Sequence, residues 1–225
     1  MKKFLLLAFA ACLTFAAQAV TMSWNSSEGS FNGFKDANGN AVSWSGTFSI
    51  TLNFTATSTP ETVFQLLTAN GANKAGELRF YSTQWSGNTA DFGTYNRDGN
   101  AAWMETNGDF STARVESSDG TKSNTLKLTF NGYNAENKTY ESVTYDIIFA
   151  NGDKQTYTMH KNQWSDGIGF GLDELSWTSV VTGEGVTMNS MTLEADKVTT
   201  SVPEPTALAL LALGVAGLAL RRKMA

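Results

Sequence analysis

The sequence predicts an all-β protein: a single antiparallel β-sandwich with an export segment at either end. Apolar residues alternate with period two along several runs. Asn-Gly and Asp-Gly pairs punctuate those runs, and no stretch between the end segments sustains a helical period. Many short antiparallel strands in one domain close as two packed sheets or as a barrel.

The clearest strand is Thr47 to Thr55, where Phe48, Ile50, Leu52 and Phe54 share one face and Thr47, Ser49, Thr51 and Asn53 the other. Next come Val63–Leu67, Leu78–Tyr81 and Ala102–Glu105, although Gln65-Leu66-Leu67 could also form a short helix. Leu126–Phe130 alternates again. So does Val143–Phe149, with Val143, Tyr145, Ile147 and Phe149 on one face. The turn Asn151-Gly-Asp153 then returns the chain through Gln155–His160, the best-marked hairpin. Leu175–Val180 and Val186–Leu193 complete the set, and Asp196–Ser201 reads as a short exposed linker. Trp24, Trp44 and Trp177 sit in or beside these strands and are assigned to the core. No fixed-period repeat is present, which disfavours propellers and solenoids.

Both ends read as targeting segments. Met1-Lys-Lys is a basic start, Phe4–Phe15 an apolar run and Ala17-Gln18-Ala19 a small-x-small cleavage site, so cleavage is expected after Ala19. Cys12 offers a lipoprotein alternative, with Phe9 a poor residue for that box. Beyond the linker, Pro203 and Pro205 hold the backbone extended. Ala207–Leu220 is uncharged, and Arg221, Arg222 and Lys223 should stay cytoplasmic. The run of roughly 14 residues is short against the ~20 that span a bilayer, so a buried core helix is the alternative to a transmembrane one. The expected organisation is a signal peptide at 1–19, a sandwich at 20–195, a linker at 196–201 and a sorting tail at 202–225.

Pro203-Glu204-Pro205, the apolar helix and the Arg221-Arg222 pair, in that order, resemble the PEP-CTERM sorting signal of bacterial envelope proteins. The resemblance implies an exosortase-type processing enzyme as partner. It also implies transient anchoring in the inner membrane, cleavage near the motif, and passage to the cell surface or outside. The strand order of the middle is similar to a concanavalin A-like or laminin G-like jelly roll. It opens on Trp44–Phe54, continues through Thr62–Leu67, Gly76–Phe80 and Thr125–Phe130, and returns at Gly169–Trp177. That fold serves lectins, adhesion modules and glycosidases alike, so it settles no activity.

Composition excludes several functions. Five of the 16 basic residues and one of the 21 acidic lie in the terminal segments. This leaves 11 against 20 between them, a net charge of about −9 that disfavours nucleic acid and anionic lipid. The single cysteine lies in the signal segment, so the exported domain has no thiolate for nucleophilic or redox work. One histidine, His160, disfavours both a serine triad and a common zinc site. Asp173 and Glu174 are adjacent, so on a strand they would face opposite ways and could not act as a glycosidase pair. No cofactor is expected. Calcium stays open, because Asn96, Asp98, Gly99 and Glu105 match part of a calcium-loop spacing. Thr94 stands where an Asp is expected, and the stretch reads as a turn.

Three tryptophans remain. Trp85 and Trp164 have polar neighbours, and Trp103 lies close to Asn107-Gly108. Indole faces stack on sugar rings while neighbouring amides bond the hydroxyls, so these three are candidate carbohydrate contacts; folding down over a sheet edge is the alternative. The expected function is a non-catalytic matrix or surface protein that contacts extracellular polysaccharide. A divergent glycosidase and a ligand-free coat component are the rivals. The mature protein should lack both ends, which intact mass from the native host checks; a mature species retaining Arg221 and Arg222 would contradict the sorting assignment.

Overall fold

The computed structural model describes residues 19–58, 60–81, 91–95, 101–105, 115, 120–160 and 168–200; at 81, 91–95, 101–105 and 159–160 the description is of the backbone. The strands are β1 (Val20–Asn25), β2 (Val42–Ala56), β3 (Thr62–Leu67), β4 (Leu78–Tyr81), β5 (Asp91–Tyr95), β6 (Ala101–Glu105) and β7 (Ser123–Asn131). They continue with β8 (Thr139–Tyr140), β9 (Ser142–Ile148), β10 (Lys154–His160), β11 (Ile168–Gly169), β12 (Ser179–Thr182) and β13 (Val186–Thr200). A six-stranded sheet has the order β1-β13-β2-β7-β9-β10 and a five-stranded sheet the order β12-β3-β4-β5-β6; β11 and β8 form a small ribbon. All pairings are antiparallel. This is an all-β sandwich of the jelly-roll type.

The alternation in β2 decides which sides of the sheets meet. Phe48, Ile50, Leu52 and Phe54 are 0–2% exposed. Opposite them on the five-stranded sheet, Phe64, Leu66, Leu78 and Phe80 are fully buried, and Phe54 meets Phe64 at 6.0 Å between ring centroids. Val143, Tyr145, Ile147 and Phe149 extend the same core along β9. The three tryptophans assigned to the core are all buried. Trp177 also spends its indole N–H on the Gly76 carbonyl at 2.7 Å, which ties the approach to β12 to the start of β4.

The sandwich has two ends. One holds Ala56, Thr62, Tyr81, Asp91, Ser123 and Val186; the other holds Val42, Leu67, Tyr95, Asn131, Ser142 and His160. At the first end β12 turns into β13 through Gly183, where a Cβ would lie 2.1 Å from the Thr62 carbonyl oxygen, so only glycine fits. The expected hairpin is present: Phe149 and Asp153 close the turn through a 2.9 Å bond, with Gly152 at φ 91°.

Val63–Leu67 is strand as expected, which removes the helical alternative for Gln65-Leu66-Leu67. The structure departs from the sequence reading in three places. The late strand β12 begins at Ser179, and Leu175 instead makes an isolated bridge to Trp44. Residues 196–200, read as linker, continue β13 against Val42–Ser45, because Val198 finds cover beside Trp44. Ser49 is buried at 6%, with its hydroxyl donating to Glu194 at 3.0 Å. That bond, then Lys127, holds the Glu194 carboxyl below its ordinary range. The expected helix at 207–220 lies outside the described residues, among which no helix is long and apolar enough to cross a membrane.

Phe48→Asp should unfold the domain, since an unpaired charge in the sheet interface costs several kcal/mol. Thr51→Asp, on the opposite face and paired with Lys127, should be tolerated. Thermal melts compare the two, and equal damage would contradict the face assignment.

Candidate functional site

Each strand of the five-stranded sheet has a core side and an outer side. Directly paired residues of an antiparallel ladder share a side. Leu66 and Leu78 are paired and lie in the core, as are Phe64 and Phe80. The row between them, Val181–Gln65–Arg79–Gly93–Trp103, therefore belongs to the outer side. Two residues along, Tyr81, Asp91 and Glu105 form a second outer row. Trp103 thus stands on the edge strand β6, away from the core row and opposite a glycine. Asp91 and Glu105 are paired positions of the β5–β6 hairpin.

The centre of this side is a polar network. Arg79 is 8% exposed and Glu77 is fully buried. Arg79 Nε donates to Glu77 Oε1 at 2.6 Å, a second guanidinium nitrogen pairs with the same oxygen, and Nη2 donates to Asn73 Oδ1 at 3.0 Å. The Asn73 amide closes the ring by donating to Glu77 Oε2. Asn73 can take its place because it accepts a left-handed backbone, φ 58°. Charge matching offsets the cost of this burial, and the planar guanidinium is held with its donors turned to Glu77 and Asn73.

Two other polar features lie elsewhere. A cleft of about 120 Å³ at the open side of β1 is lined by Trp24, Glu28, Asn32 and Lys35 among others. Its Trp24 indole nitrogen is itself buried without a hydrogen-bond partner in the protein. At the second end Lys138 pairs with Asp173 at 2.8 Å, beside Tyr133, which packs 5.2 Å from Tyr140. Asp173 is 78% exposed there, so the pair is worth little to stability.

Of the sequence-derived candidates, Trp85 and Trp164 lie outside the described residues, as do Pro203, Glu204, Pro205, Arg221 and Arg222; Trp103 is placed by its backbone alone. Ala19 is exposed, one residue before β1. The segments carrying Trp85 and Trp164 start from opposite ends of the sandwich, after Tyr81 and after His160. Glu174 is exposed and accepts hydroxyl bonds from Ser43 and Thr199. The calcium-like spacing falls on the β5–β6 hairpin. There Glu105 pairs with Asp91 and Thr94 with Ala102, so the first and twelfth positions stand three residue pairs apart, about 10 Å. Among the described residues no group of three His, Cys, Asp or Glu side chains could hold a metal. Arg79 and Asp91 escaped the sequence reading, and Glu105 entered it only as a calcium-loop position, because register alone brings the three together.

Residues 201–223 match the family model of the PEP-CTERM protein-sorting motif. The chain carries a PEP-CTERM sorting motif. The motif marks an exported surface protein sorted by an exosortase. No curated protein matches the chain in sequence. Among solved structures the chain is similar to peanut lectin with a nine-residue peptide, at 14% identity over 82% of this chain and 100% of that one, TM-score 0.44. It is also similar to the sialidase module CBM40 of Ruminococcus gnavus, at 15% identity over 69% and 78%, TM-score 0.38. A third likeness is lectin I-B4 of Griffonia simplicifolia in its metal-free form, at 9% identity over 80% and 88%, TM-score 0.39.

Arg79→Met should cost about 3–5 kcal/mol, because Glu77 would be left charged and buried. Adding Glu77→Gln should recover part of that loss, and denaturant melts of the single and double variants measure the coupling. Additive losses would show that the pair is not a unit.

Proposed function

We propose that the sandwich contacts extracellular polysaccharide without catalysis, through the outer side of its five-stranded sheet, once the sorting motif has delivered the protein to the surface. The observation that carries this reading is the register row. Trp103 shares it with Gln65 and Arg79 and stands opposite Gly93, which has no side chain to occupy the neighbouring space. An indole suits a sugar ring, and the Gln65 amide in the same row suits its hydroxyls. Trp85 and Trp164 are further proposed contacts.

A second reading rests on Asp91 and Glu105. Two carboxylates opposed on one side of a sheet are the minimum for glycoside hydrolysis, so a divergent glycosidase would use this pair. Asp91→Asn and Glu105→Gln should leave binding intact under the first reading and abolish hydrolysis under the second.

Trp103→Ala should lower affinity for host polysaccharide by about 1–3 kcal/mol, with little change in melting temperature. Binding of a neutral glycan should hardly respond to salt, since no charges are paired. Pull-downs and thermal melts on the same protein test both. An unchanged pull-down with a stability loss of about 3–5 kcal/mol would assign Trp103 to packing and favour the coat-protein role.

A further inference from the structure

β13 is paired on both sides through its centre and on one side at its end. β1 begins at Val20, opposite Ala195. Beyond a register shift, Lys197–Thr200 pair only with Ser45–Val42 of β2 among the described strands. Which backbone groups this extension has left over follows from Trp44. The Trp44 amide donates to the Leu175 carbonyl at 2.9 Å, and the Leu175 amide donates to the Trp44 carbonyl at 2.8 Å. Both polar backbone groups of Trp44 therefore face away from β13. Trp44 and Val198 form a non-hydrogen-bonded pair, and the ladder bonds fall on Ser43–Thr199 and Ser45–Lys197. The N–H and C=O of Val198 consequently point to the open edge.

Glu174 secures the extension. Its carboxylate accepts from the Ser43 hydroxyl at 2.5 Å and the Thr199 hydroxyl at 2.9 Å, bridging β2 and β13. The sorting motif begins at the next residue, 201.

We infer that Lys197–Thr200 is a docking edge for the exosortase-type processing enzyme, which adds a strand there immediately before the motif. The inference rests on the sorting assignment. Strand addition draws affinity from main-chain bonds, and the open edge offers them at Val198 without unfolding the domain. Open edges are otherwise a hazard that proteins blunt with charge or proline. Here Asp196 falls in the register shift, Lys197 follows it, and Pro203 stands within the motif, so charge and proline bracket the free stretch.

The test follows tail removal over time in full-length protein, expressed in a host with the processing enzyme. Val198→Pro removes the edge N–H and spares the ladder, as proline on an edge strand can. A second variant inserts about six Gly/Ser residues between Thr200 and Ser201, leaving every strand intact and parting the motif from the edge. Each should slow processing about tenfold. The insertion variant decides the matter if Val198→Pro misfolds. Native-rate processing of the insertion variant overturns the docking edge. Glu204→Ala tests the underlying assignment separately: if it is processed as fast as the native chain, the sorting assignment fails. If it alone is blocked, that assignment stands and the docking edge falls.

Discussion

Phe48 and Phe130 stack at 4.5 Å with their planes 12° apart, at paired positions of β2 and β7. Around them stand Trp44, Tyr140, Phe170 and Trp177, each within 6.4 Å of another ring of the group. This aromatic cluster joins the six-stranded sheet to the β8–β11 ribbon and to the segment that leads into β12. Tyr140 shows how closed it is: burial raises its phenol pKa, and the hydroxyl donates to the Gly46 carbonyl at 3.1 Å. Without disulfides, the domain depends on this packing, and each large ring removed would cost about 3–5 kcal/mol.

The cluster also explains what the outer sides are free to do. Because β2 and β7 send their aromatic residues inward, the polar alternates carry Ser49, Lys127 and Glu194 on the outer side of the six-stranded sheet. On the five-stranded sheet the same partition sends Arg79 outward, yet its charge is matched by Glu77 and its donors by Asn73. The outer side of that sheet is therefore ordered at its centre. Its edge hairpin carries Asp91, Trp103 and Glu105.

Much of the fold was legible in residue order. Strict alternation in β2, β7 and β9 named both the strands and their buried sides, and Asn151-Gly152 named the hairpin. β1, β5, β8 and β11 were not legible. β8 and β11 are two-residue pairings that no periodicity can mark, and β5 carries Gly93 at its centre. The extension of β13 was hidden because Asp196 and Lys197 break the apolar pattern just before Val198 resumes it. For the site, the sequence singled out Trp103 but not its companions. Gln65, Arg79, Gly93 and Trp103 come from four strands, and their sharing a row is a fact of register. The sorting motif, by contrast, is a linear signal and was readable in full.

The most direct measurement is backbone hydrogen exchange of the exported domain with and without polysaccharide from the native host. The account predicts added protection in β4, β5 and β6, with β1, β7 and β10 unchanged. Protection confined to the six-stranded sheet, or none at saturating polysaccharide, would contradict it.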